Sequence, residues 1–263
     1  MKKFLRETDE FFSSYVPPMT RRLLYLQFLG VILFKLTSLE GLRDIGQRIL
    51  VLTPYQAILR GHVWQFFTYQ FTNELRFENI LWALFYMIII VSFGAVLENQ
   101  LGARRYGWLI VLNGLAAGMV HCGLAFALKM PEVPAYGFRG GILMMLTLTT
   151  IWFPRMPVNL MGFIPLQMRI AAAITAIILA FDLLQDMSQM GRSIGLVYHA
   201  IDFGSIAFGV LVAYTPRVLS AFDNVNIPGR KRKGRVVPMS MGHPGRHTDP
   251  DDRYNDPHWK LDQ

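Results

Sequence analysis

The sequence predicts an all-α, polytopic membrane protein: a bundle of six transmembrane helices, with an interfacial helix before it and a large membrane-associated first loop. Three observations predict it. Apolar residues make up 52% of the chain and charged residues only 17%, a balance that suits a bilayer better than water. Apolar runs at about 23–36, 80–96, 107–127, 140–153, 170–184 and 194–214 are bounded by Gly, Pro or basic residues, and a packed bundle tolerates those that are short. Arg21-Arg22, Arg104-Arg105, Arg155, Arg169 and the stretch 217–235 would share one face of a six-span topology, whereas the loop 129–136 carries one lysine. That asymmetry places both termini on the cytoplasmic side, or the matrix side in an organelle. The net charge of +8 therefore belongs to topology and lipid headgroups, and nucleic acid is not an expected partner.

Residues 1–18 carry Phe4, Leu5, Phe11, Phe12 and Tyr15 on one helical face and Lys2, Lys3, Arg6, Glu7, Asp9 and Glu10 on the other, up to Pro17-Pro18. This is the pattern of a helix lying on a membrane rather than of a cleaved signal. The bundle is assigned to 19–222. Within it the connection 37–76 holds apolar bursts too short to cross a bilayer of roughly 30 Å, so it folds on the membrane surface. From 223 the composition turns polar, and Arg230, Lys231, Arg232, Lys233 and Arg235 follow the last span as headgroup contacts. The tail to 263 cannot bury enough apolar surface to order alone; Tyr254 and Trp259 would anchor it to a partner. Cys122, the only cysteine, excludes an internal disulfide, and His243, His247 and His258 lack metal-ligand spacing, so no metal or other cofactor is expected.

Two segments carry the functional signal. Gly137-Phe138-Arg139-Gly140 opens the fourth run, and Asp202-Phe203-Gly204-Ser205-Ile206-Ala207-Phe208-Gly209 lies in the sixth. They resemble the two catalytic segments of the rhomboid intramembrane serine proteases, a G-x-S-G motif and an A-H-x-x-G-x-x-x-G motif. Gly94 to Gly102 resembles the family's stretch leaving the second span, and Trp64-Gln65-Phe66-Phe67-Thr68 its W-R-x-x-T segment, with Gln65 for arginine. The resemblance covers 52–216 and implies a rhomboid-like bundle. By the same alignment Arg139 stands at the nucleophile, Asp202 at the general base, and Leu143 at the ring that stacks on that base. Trp82 and Tyr86 stand at the oxyanion positions, or Asn79 and Ala83 if a short gap is allowed.

A guanidinium is neither nucleophile nor base, because it stays protonated. The replacements imply a pseudoprotease. An arginine near the fourth span is costly unless paired, which predicts an interhelical salt bridge between Arg139 and Asp202. The alternative pairs Asp202 with His199, three residues earlier, and leaves Arg139 facing water. Asp182 and Asp186 would mark a helix end and a watery pocket, or with the other three a proton path. Gly114, Gly118, Gly123, Gly137, Gly140, Gly204 and Gly209 read as close helix packing.

The expected role is non-catalytic: binding membrane lipids and other membrane proteins, as a fixed subunit of a larger assembly or as a binder of client transmembrane segments in trafficking or quality control. A client binder would keep a lateral groove between the second and fifth helices. A divergent active protease or an ion-pathway protein is the alternative. A bacterial inner membrane is expected, an organellar inner membrane being the other possibility.

Overall fold

The computed structural model describes residues 16–37, 48–72, 80–160 and 164–215, with side chains described outside 80–86 and 158–166. The chain divides into two compact units, Met1–Asn226 and Ile227–Gln263. The expected interfacial helix before Val16, the basic cluster 230–235, Tyr254 and Trp259 lie outside the described residues, as do Asn79 and the side chains of Trp82, Ala83 and Tyr86.

The fold is mostly helical, as the apolar runs require in a medium with no water for the backbone. The main helices are α1 (Pro18–Thr37), α3 (Ile80–Leu101), α4 (Ala103–Ala127), α5 (Arg139–Trp152), α6 (Met168–Gln189), α7 (Arg192–Tyr198) and α8 (Ala200–Tyr214), and a short α2 (Gln65–Thr68) lies in the first loop. Among the described residues, α4 and α6 are each long and apolar enough to cross a bilayer, and α7 with α8 would add a third, broken span. The sequence suggested one continuous sixth span from 194. Instead α7 and α8 meet at a 45° bend, because Gly195 packs against the Met187 backbone of α6, where a Cβ would sit 2.8 Å from the Met187 nitrogen.

The all-α expectation needs a second correction. Between α5 and α6 the chain forms an antiparallel hairpin of β1 (Pro157–Leu160) and β2 (Ile164–Gln167), with Pro157 opposite Gln167 and Leu160 opposite Ile164. Val158, Leu160, Ile164 and Leu166 recur there at alternate positions, the period of a strand rather than a helix.

Two features hold the bundle in place around α5. The first loop is welded to the α4–α5 connection. Leu52 and Ala135 exchange backbone hydrogen bonds of 3.0 and 2.8 Å, Tyr55 N–H donates to Pro131 O, and Gly137 N–H donates to Tyr69 O at 2.9 Å. Buried Gln65 ties the loop internally: its Oε1 accepts from Thr53 N–H, and its Nε2 donates to Arg48 O and Gln56 Oε1. The outer side of the loop exposes Ile58, Leu59, Val63, Trp64 and Phe67, an apolar row suited to the membrane interface.

The second feature is Glu98, near the end of α3. It is 3% exposed, and donors of α1 meet its charge. Its carboxylate accepts Met19 N–H at 2.8 Å, Thr20 N–H at 2.6 Å and Thr20 Oγ1 at 2.9 Å. These are orphan donors of the first turn of α1, where the helix dipole favours negative charge. We expect Glu98→Ala to cost about 3 kcal/mol, since it strands three buried donors, and Glu98→Gln to cost less than half of that; thermal unfolding in detergent measures both.

Candidate functional site

The site forms where α5 and α8 cross. Gly140 and Gly209 set the crossing distance, and Gly204 sets that of α8 against α4. A Cβ on Gly140 would lie 2.4 Å from Ser205 Oγ, one on Gly204 would lie 3.0 Å from Ala117 Cα, and one on Gly209 would lie 3.1 Å from Thr147 Cβ. Gly114 and Gly118 likewise take Gln70 and Phe66 against α4, whereas Gly123 faces open space, so close packing does not account for that glycine. Nor does packing account for Gly137: it precedes α5 with φ +99°, a conformation that only glycine adopts at little cost. It makes the turn that delivers Arg139 as the first residue of α5.

Arg139 and Asp202 are thereby brought face to face, and the contacts extend further. Arg139 Nε lies 3.3 Å from Asp202 Oδ2, and Arg139 Nη2 donates to Asp182 Oδ2 on α6 at 3.1 Å. His199, fully buried at the α7–α8 break, places Nδ1 2.8 Å from Asp202 Oδ2 and Nε2 3.0 Å from Asp186 Oδ2. The two pairings that the sequence offered as alternatives thus coexist on one oxygen. The doubly protonated ring donates to both carboxylates, and in that form the cluster holds three negative and two positive groups. Asp202 is 4% exposed, so its charge depends on these partners.

Asp182 and Asp186 close the network from the last turns of α6. Their spacing of four puts both on one helix face, a signal the sequence carried, but the link of Asp186 to His199 needs the break that folds α7 back on α6. Leu143, buried at 5% exposure, lines the α5 side below Arg139. Ser205 Oγ is buried at the crossing with no hydrogen-bond partner.

A cavity of about 150 Å³ opens beside the cluster, lined by Ala135, Tyr136, Gly137, Arg139, Tyr198, Ile201 and Asp202. Tyr198 Oη donates to Tyr136 Oη at 3.2 Å. Sequence reasoning missed these two tyrosines, and also His121, which is buried on α4 with Nδ1 2.9 Å from Val197 O and Nε2 3.1 Å from Val133 O. His121 ties the α4–α5 connection to α7. Tyr69 Oη donates to Gly114 O at 3.1 Å, and burial pushes its phenol well above the usual range, so it stays a neutral donor. Among the described residues no group of three or more His, Cys, Asp or Glu could hold a metal ion.

Chemically, the cavity wall offers a fixed cation, a carboxylate already engaged on both sides and two phenols. Among the described residues its lining includes no serine, threonine or cysteine.

The rhomboid domain family model matches residues 60–216. This chain belongs to the rhomboid family. The match spans the Tyr69–Gly137 link, the α5–α8 crossing and the whole charge cluster, and with the apolar helices it makes the chain an integral membrane protein. No curated protein and no solved structure matches it.

Removing Asp202 leaves Arg139 and His199 short of their shared partner. Asp202→Ala is expected to cost about 2–3 kcal/mol, below the value for a fully buried pair because Arg139 is partly exposed, while Asp182→Ala, at the exposed end, costs under about 1 kcal/mol. The swap Arg139→Asp/Asp202→Arg should recover less than half of the loss, since it sets two carboxylates side by side at 139 and 182 and a guanidinium against His199. Unfolding midpoints of the four proteins in one detergent decide the order. Ser205→Ala should be neutral or slightly stabilising, because it removes a buried hydroxyl without a partner.

Proposed function

We propose that this rhomboid-family protein is a non-catalytic six-span membrane protein that binds other membrane proteins, either as a fixed subunit of a larger assembly or as a binder of client transmembrane segments. The observation that carries this reading is the occupation of the α5–α8 crossing by the Arg139–Asp202–His199 ion network. Serine proteolysis needs a hydroxyl that a neighbouring base can deprotonate. At the aligned position a guanidinium stands instead, and a guanidinium holds its protons. The aligned base is a carboxylate whose Oδ2 is shared by two cations or donors. Removal of a triad member alone lowers rates by orders of magnitude.

The same reading takes both termini as cytoplasmic, or matrix-facing in an organelle, in a bacterial or organellar inner membrane, with lipids as the surrounding partners. An ion pathway is the less favoured function. Met144, Met145 and Leu148 of α5 are fully buried, and their apolar side chains offer a permeating ion poor ligands.

Extraction of the full chain in mild detergent, followed by native mass measurement, tests the reading. Partners in fixed stoichiometry support the subunit form, and varied substoichiometric membrane proteins support the client binder. Hydrolysis of a transmembrane substrate by the wild-type protein, lost on Asp202→Ala, overturns it.

A further inference from the structure

α6 packs against the bundle only lightly. Met168, Ala171 and Leu179 are its buried residues, while Ile170, Ile174, Ile177, Ile178, Phe181 and Leu184 are exposed. Between α6, α5 and α8 lies an apolar groove of about 350 Å³. The groove has depth because α6 presents Ala172, Ala176 and Ala180 to it, small residues at successive turns. Its three threonines offer no free hydroxyl proton. Thr147 Oγ1 donates to Leu143 O at 2.7 Å, Thr150 Oγ1 to Leu146 O at 2.7 Å and Thr175 Oγ1 to Ala171 O at 2.9 Å. The wall is therefore suited to hydrocarbon and has nothing with which to select a polar ligand.

Its length and width narrow the occupant. From Ala172 to Leu183 the lining covers about 16 Å of helix axis, close to half the roughly 30 Å hydrocarbon core and thus to the depth of one leaflet. A helix of about 10 Å diameter would need roughly 1,200 Å³ over that length, more than the 860 Å³ of empty space in the groove. One end of the groove is basic. Arg169 lies one turn before Ala172 and Arg155 one turn after Thr150 and Ile151. The two segments are joined by Arg169 N–H donating to Pro154 O at 3.3 Å. Both arginines are exposed, and Arg169 is steadied by its Nε donating to Gln167 Oε1 at 2.8 Å.

We propose that this groove holds one acyl chain of an anionic phospholipid whose phosphate sits on Arg155 and Arg169. The chain fills a space that water would not occupy, and the arginine pair supplies headgroup preference, since lipid tails alone gain little by moving from bilayer to protein.

The test uses the full chain in mild detergent, mixed with phosphatidylglycerol and phosphatidylcholine of matched chain length and read by native mass spectrometry. One phosphatidylglycerol should be retained per chain. Arg155→Gln and Arg169→Gln should each lower the preference over phosphatidylcholine about fivefold. Ala176→Phe, which fills the groove, should abolish retention while its unfolding midpoint stays near wild type. Wild-type protein that retains no lipid, or takes both headgroups equally, overturns the proposal. So does a folded Ala176→Phe chain that keeps the lipid, or a second polypeptide in place of it. Should Ala176→Phe fail to fold, a phosphatidylglycerol bearing a mid-chain diazirine decides on wild-type protein. Labelling concentrated on α5 and α6 supports the groove, and labelling equally strong on the lipid-facing side of α1 overturns it.

Discussion

A carboxylate taken out of water must find compensating charge or donors, and Asp202, buried in the first turn of α8, imposes that demand on everything around it. Arg139 reaches it only because Gly137 turns the chain and Gly140 lets α5 close on Ser205. His199 reaches it from three residues earlier, a spacing that shares a helix face. Once the break exists, the free nitrogen of the same imidazole needs a partner of its own, and the end of α6 provides Asp186. Four elements, α5, α6, α7 and α8, are thus tied through one oxygen and one ring.

Glu98 shows the other solution to the same problem. The N-terminus of α1 wraps its amides around the carboxylate, where the positive end of a helix dipole favours negative charge. The two arrangements differ in what they hold. Glu98 fixes α1 to the end of α3 and uses donors that would otherwise be orphaned, so it is a structural cap. The Asp202 cluster opens onto a cavity and carries one more negative than positive group even with His199 protonated. It remains a charged surface at one end of the bundle.

On the proposed reading, the exchange of a hydroxyl and an imidazole for a guanidinium and a carboxylate changes the kind of link between the fourth and sixth spans. A catalytic pair must allow a proton and a substrate to move through it. An ion pair held on both sides resists that movement and stiffens the crossing, a property suited to a binder or subunit whose helices keep one arrangement while partners come and go. The first loop contributes to the same rigidity, because its weld to the α4–α5 connection fixes the residues immediately before Arg139.

The sequence by itself determined the helical class, the approximate limits of α4 and α6, and the identity of Arg139 and Asp202 as the residues flanked by the motif glycines. All of these are local properties: hydropathy over one helix length, charge at its ends, and glycine at short fixed offsets. It could also show that Asp182 and Asp186 share a face. What it could not decide was the partner of each charge. Whether Asp202 meets Arg139, His199 or both depends on the rotation of each helix and the distance of its crossing, and the His199–Asp186 contact exists only because α7 folds back at a 45° bend. The β hairpin was likewise hidden, because each strand is only four residues long and its alternation is brief beside the apolar helices around it, and the groove along α6 is a space between three helices, which no single stretch of sequence contains. Periodicity records how a segment meets its surroundings on average; the pairing of individual charges is set by the few ångströms that only packing fixes.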